Sequence, residues 1–229
     1  QTARNLHVGD ALHGFRVERI EDLPEIDGRA VVMRHDQTGT PLMWLANEDE
    51  NKSFSVTFKT PPVDNTGVFH ILEHSVLCGS DQYPVKEPFV NLLKTSMQTF
   101  LNALTFSDKT MYPVASTNER DLMNLMSVYL DAVLFPQLYH KRAIFEQEGW
   151  HYEVEGEGAD RHLVTNGVVL NEMRGAMSDP DEVALAGLNA ALFPDTAYGY
   201  ESGGNPAAIP NLTYESYLDT HARHYNMAN

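Results

Sequence analysis

At 229 residues, with 42% hydrophobic and 21% charged residues, the chain is long enough to bury a sizeable core and has an ordinary globular composition. Its 16 basic and 32 acidic residues leave a formal charge of −16, which argues against nucleic acid and anionic membrane as partners and favours basic ligands. A single cysteine, Cys78, excludes an internal disulfide and reads as a small buried residue; no run approaches the ~20 apolar residues of a membrane helix.

The first 60 residues read as strands and turns. Residues 15–20, 30–33, 42–46 and 54–58 are β-rich or alternating, separated by Pro24, Asp27-Gly28, Thr38-Gly39 and 47–51. Asp64-Asn65-Thr66-Gly67 then supplies cap and turn residues for a helix whose apolar side is Ile71, Leu72, Val76 and Leu77, with Gly79 as its stop signal. Residues 88–99 read as a helix with Pro88 near its start, and 101–105 as a short strand. Residues 118–135 form a long amphipathic helix with the stripe Leu122, Leu125, Met126, Tyr129, Leu130 and Val133. His151 lies in a strand-like Trp-His-Tyr run and reads as structural. Helices follow at 183–192 and 214–225, the second opened by Thr213, with His221 and His224 on its polar surface. Gly203-Gly204 lacks the following Lys-Ser/Thr of a phosphate loop. Strands gathered early and helices later predict an α+β fold, a mostly antiparallel sheet with helices packed on one face, in a single domain over 1–229.

The chemistry concentrates at His70-Ile71-Leu72-Glu73-His74. Positions i, i+3 and i+4 are neighbours on a helix surface, so His-x-x-Glu-His places two imidazoles and a carboxylate on one face. This is the mirror-order zincin arrangement, in which the histidines hold a metal and the glutamate stands beside its water. Random order at this composition would give about 0.03 such matches. Two His and a Glu on a solvated helix face is the competing reading of the pentapeptide alone. Catalytic zinc takes three protein ligands and keeps a fourth position open; spacing does not choose the third among Glu146, Glu148, Glu153 and Glu172.

Further blocks follow: Tyr83 to Phe89, Thr99-Phe-Leu-Asn-Ala-Leu-Thr105, Tyr112-Pro-Val-Ala-Ser116, Glu146-Gln-Glu-Gly-Trp-His-Tyr-Glu153 and Gly167-Val-Val-Leu-Asn-Glu-Met-Arg-Gly175. Together with the pentapeptide they closely resemble the presequence protease branch of the pitrilysin/insulinase family of zinc metallopeptidases, over nearly the whole chain. The resemblance implies a pitrilysin-type fold, Zn²⁺ as cofactor, Glu172 as the third ligand beside His70 and His74, and Glu73 as general base. It implies that 101–105 is an edge strand pairing with extended peptide substrates through Asn102, Ala103 and Leu104, with Leu104 near the pocket after the scissile bond. It also implies that the 229 residues are the first domain of a much longer chain. Its C-terminal lobe would be the partner supplying Arg and Tyr groups to the substrate, so the isolated piece should cleave poorly. The expected function is a zinc endopeptidase acting on short unfolded, preferentially cationic peptides; the alternative is a non-catalytic binding or assembly subunit of the same fold. Composition points to a bacterial-type cytoplasm. No signal or transit peptide is visible at residues 1–5, but the absence of Met at position 1 leaves room for a removed segment, and the resemblance keeps a mitochondrial or plastid matrix open.

Overall fold

The computed structural model describes residues 5–85 and 88–229; residues 1–4, and Lys86 and Glu87 within the 83–89 block, lie outside the described residues. The described chain forms two compact units, one of residues up to Asn51 together with Asn226–Asn229, the other Lys52–Tyr225.

In the first unit, β1 (Ala11–Leu12), β2 (Phe15–Leu23), β3 (Gly28–His35) and β4 (Pro41–Ala46) form an antiparallel meander in chain order. Val17, Val31 and Met33 bury against Leu6, with Phe15, Ile20 and Trp44 packed around them. The predicted strands are present and longer than expected. β2 runs on to Leu23 and stops where Pro24 removes a ladder donor, and Asp27 turns the chain in the left-handed region at φ 46°.

The second unit holds β5 (Lys52–Lys59), α1 (Val68–Val76), α2 (Pro88–Thr95), β6 (Gln98–Leu101), β7 (Leu104–Thr105), β8 (Lys109–Ser116), α3 (Glu119–Leu134) and α4 (Arg142–Glu148). After these come β9 (His151–Glu155), β10 (His162–Asn166), α5 (Val168–Ala176), α6 (Pro180–Leu192) and α7 (Tyr214–His224). β8 is the central strand, flanked by β5 on one side and by β6 and β7 on the other, all antiparallel; β9 and β10 form a separate hairpin. Alternation on β5 shows how the sheet is used. Phe54, Val56 and Phe58 turn to the core, while Ser53, Ser55 and Thr57 are exposed.

Against that apolar face pack Ile71, Leu72 and Val76 of α1, Leu122, Leu125, Tyr129 and Val133 of α3, Val169, Leu170 and Met173 of α5, and Tyr217 of α7. The α+β expectation, with helices on one face of an antiparallel sheet, is met.

Two predicted elements are redrawn by tertiary pairing. The helix expected to run to residue 99 ends at Thr95, because Gln98–Leu101 is drawn into the ladder with β8. The Thr95 and Ser96 hydroxyls turn back onto the carbonyls of Asn91 and Leu92 to close the last turn. The strand expected over 101–105 is interrupted after Leu101. The Asn102 side chain accepts from the Ala103 N–H, and the Tyr129 hydroxyl donates to the Asn102 carbonyl at 3.3 Å. α4 forms where the sequence pattern predicts no helix.

Candidate metal centre

Gly67, with φ 65°, is the N-cap of α1, and the expected side-chain cap is absent. Asp64 instead accepts from the Thr66 N–H and hydroxyl. The helix buries Ile71, Leu72 and Val76 completely, and that fixes its rotation. His70 and His74 therefore share the opposite face, their rings 5.0 Å apart at 78°. α5 does the same in reverse: Val169, Leu170 and Met173 go inward and Glu172 is left 53% exposed. Its Oε2 lies 3.8 Å from His70 Nε2 and 3.7 Å from His74 Nε2. Bonds of 2.0–2.1 Å in a tetrahedral site set ligand atoms ~3.3 Å apart, so this triangle is slightly open for a first-row divalent metal. Among the described residues, no other trio of His, Cys, Asp or Glu comes together this way.

The opposite ring nitrogens define the tautomers. His70 Nδ1 lies 2.9 Å from the Gly203 carbonyl, and His74 Nδ1 lies 3.3 Å from Glu148 Oε2. A carbonyl and a carboxylate only accept, so both Nδ1 atoms carry the hydrogen and both Nε2 lone pairs face Glu172. Two neutral imidazoles with occupied Nδ1–H groups and one carboxylate are a zinc donor set, and carboxylate or carbonyl support behind each histidine is its usual companion. The electrostatics also favour a cation. Burial pulls the His74 pKa down, but the hydrogen bond to Glu148 and the charges of Glu73, Glu148 and Glu172 outweigh it and raise it above the ordinary imidazole value. Burial alone would push the Glu148 carboxyl up. Hydrogen bonds from His74, Gln147 and Cys78, with the charge on His74, hold it below the usual range.

Glu73 is buried at 9% exposure and stays outside the trio. Its Oε2 accepts a 2.6 Å hydrogen bond from the Thr105 hydroxyl on β7.

Residues 60–174 match the insulinase family, peptidase family M16. The chain belongs to that family. It is 51% identical over 225 residues to Protein HypA of Clostridium perfringens, covering 98% of this chain and 23% of that protein. It is 51% identical over 216 residues to presequence protease 1 of Arabidopsis thaliana, chloroplastic/mitochondrial, covering 94% and 20%, and 45% identical to the mitochondrial presequence protease of Mus musculus, covering 100% and 22%. A crystal structure of pitrilysin shares the fold, with a TM-score of 0.67 at 21% identity, covering 94% of this chain and 22% of that one. The chain thus spans about a fifth of the length of the curated relatives it matches.

Around this candidate site, the four glutamates that spacing leaves open separate clearly. Glu172 joins the histidines; Glu148 stands behind His74; Glu146 pairs with Arg142 at 3.0 Å; Glu153 accepts from Asn166. Asn102, Ala103 and Leu104 lie where the β6–β7 edge is interrupted, with the Asn102 N–H donating to the Pro113 carbonyl and Leu104 paired with Met111. Cys78 is half-buried rather than buried, its Sγ 3.5 Å from Glu148 Oε1. His221 is 2% exposed, inside the core and not on a polar surface. His151 starts β9 with Nδ1 donating to the Glu146 carbonyl.

Sequence reasoning missed the support behind the two histidines. Asn65 accepts from Glu201 N through its side chain and from Asn205 N through its carbonyl, each at 2.8 Å, which docks the loop carrying Gly203 onto the start of α1. The glycine pair signals a close backbone approach but not to what.

Proposed function

We propose that this chain is the N-terminal metallopeptidase domain of a longer zinc endopeptidase, hydrolysing short unfolded peptides. The observation that carries it is the convergence of His70 Nε2, His74 Nε2 and Glu172 Oε2 beside a buried, non-ligating Glu73. Zinc held there by His70, His74 and Glu172 would polarise the scissile carbonyl and lower the pKa of water towards about 7. Glu73 takes a proton from the attacking water as general base and delivers it to the leaving amine as general acid. Gly203 and Glu148 keep the two imidazoles in the tautomer that offers Nε2.

The β6–β7 flank of β8 is where an extended peptide adds through main-chain hydrogen bonds, with Asn102, Ala103 and Leu104 closest to it; such addition accepts many sequences. The charge of −16 favours cationic peptides. Because the chain is about a fifth of its relatives' length, the rest of a longer protein supplies the remaining substrate contacts, and the isolated chain binds zinc but turns over poorly. A relative from a bacterium and relatives whose names place them in organelles support either a bacterial cytoplasm or a mitochondrial or plastid matrix.

Elemental analysis of the purified chain tests the reading. The expected result is about one zinc per chain, lost in His74→Ala and in Glu172→Ala. A folded wild-type chain that takes up no zinc overturns it in favour of a non-catalytic subunit of the same fold.

A further inference from the structure

Glu73 makes one hydrogen bond of particular consequence. The Thr105 hydroxyl donates to its Oε2 at 2.6 Å, a short charge-assisted contact at a carboxylate that is only 9% exposed. Thr105 closes β7, where it pairs with Thr110, and the preceding Leu104 pairs with Met111. One strand therefore carries both the residue proposed to meet the peptide backbone and the hydroxyl that grips the proposed base. A free glutamate side chain would sample several rotamers about three torsions. With Oε2 anchored, Oε1 is the oxygen left to take a proton.

We propose that Thr105 is a positioning residue, holding the Glu73 carboxylate in register with a peptide seated on the β6–β7 edge. The inference rests on the reading of Glu73 as general base. It makes Thr105 neither a ligand nor a group that touches substrate. Its hydroxyl acts through Glu73, so its removal costs turnover and leaves peptide affinity and zinc in place. Valine exchanges the hydroxyl for a methyl of similar size and keeps the β-branched shape suited to a strand.

The test uses the longer protein that contains this domain, with a quenched-fluorophore, lysine-containing unstructured peptide as probe. Thr105→Val is expected to lower kcat by about 10- to 10²-fold, with KM changed less than about 2-fold and zinc content unaltered, while Thr105→Ser restores most of the rate. A second measurement needs no activity. In the 229-residue chain, Thr105→Val should lower Tm by about 2–4 °C when Glu73 is present and have little effect in a Glu73→Ala background. Unchanged kcat in Thr105→Val, a serine variant as slow as valine, or equal Tm shifts in both backgrounds each overturns the inference while leaving the peptidase reading standing. Full activity in Glu73→Gln would instead overturn the general-base reading and the inference with it.

Discussion

At the scale of single residues, the site divides into groups whose position follows from local geometry and groups whose position follows from packing. His70, Glu73 and His74 belong to the first kind. Helical spacing alone puts them on one face, so their juxtaposition is legible in the sequence. Glu172 and Glu148 belong to the second, since nothing in spacing says that α5 offers its carboxylate to the Nε2 side of the histidines while α4 offers one to the Nδ1 side. Glu148 accepts from His74, Gln147 and Cys78, so three donors fix the carboxylate that stands behind His74. Glu148→Gln should leave the chain folded and weaken zinc binding by about 10- to 100-fold, read by competition with a chromophoric chelator. Undiminished affinity would mean that packing alone orients His74.

At the scale of elements, the same division explains which boundaries were legible. α3 and α7 came out of apolar periodicity and cap residues, with Asn118 and Thr213 accepting from Asp121 N and Ser216 N as N-caps should. The 88–99 helix and the 101–105 strand differ from expectation because pairing with β8 and the Asn102 side chain decide them, and both are non-local or conformational effects that periodicity does not carry. The loop at 201–205 was illegible for a related reason: its glycines answer to α1. A Cβ on Gly67, where φ is 65°, would sit 2.6 Å from the Gly203 carbonyl oxygen, the atom that accepts from His70. Gly67→Ala therefore meets both a left-handed backbone penalty and a backbone clash. It should destabilise the chain by about 2 kcal/mol or more, measured by urea unfolding, and weaken zinc binding as the loop withdraws. An alanine variant equal to wild type in both would show that the approach of the two backbones is not what places the Gly203 carbonyl.

At the scale of the whole molecule, the features that hold the second unit together also set its response to acid. His221 on α7 joins three segments. Its Nε2–H donates to the Val133 carbonyl at the end of α3, at 3.0 Å, and its Nδ1 accepts from the Tyr139 hydroxyl at 2.7 Å. Its ring also stacks on Tyr225, 4.7 Å away. Both nitrogens are spoken for in the neutral form, and a second proton would have to displace the Tyr139 donor inside the core. Burial accordingly lowers the His221 pKa from 6.5 to about 4, against a smaller opposing effect of the Val133 carbonyl. The unfolded chain then binds the proton that the folded chain refuses. Stability from this group is fully present above pH 6.5 and is lost as pH falls from there towards about 4, amounting to ~3 kcal/mol in all. Urea unfolding of the chain in excess chelator, so that zinc release does not contribute, should show that wild type loses ~3 kcal/mol more between pH 7 and pH 4 than His221→Gln does, since glutamine keeps polar atoms at the junction and does not titrate. Parallel losses in the two proteins would place the acid sensitivity elsewhere, in the carboxylates around His74, and would mean that His221 accepts its proton without opening the junction of α3 and α7.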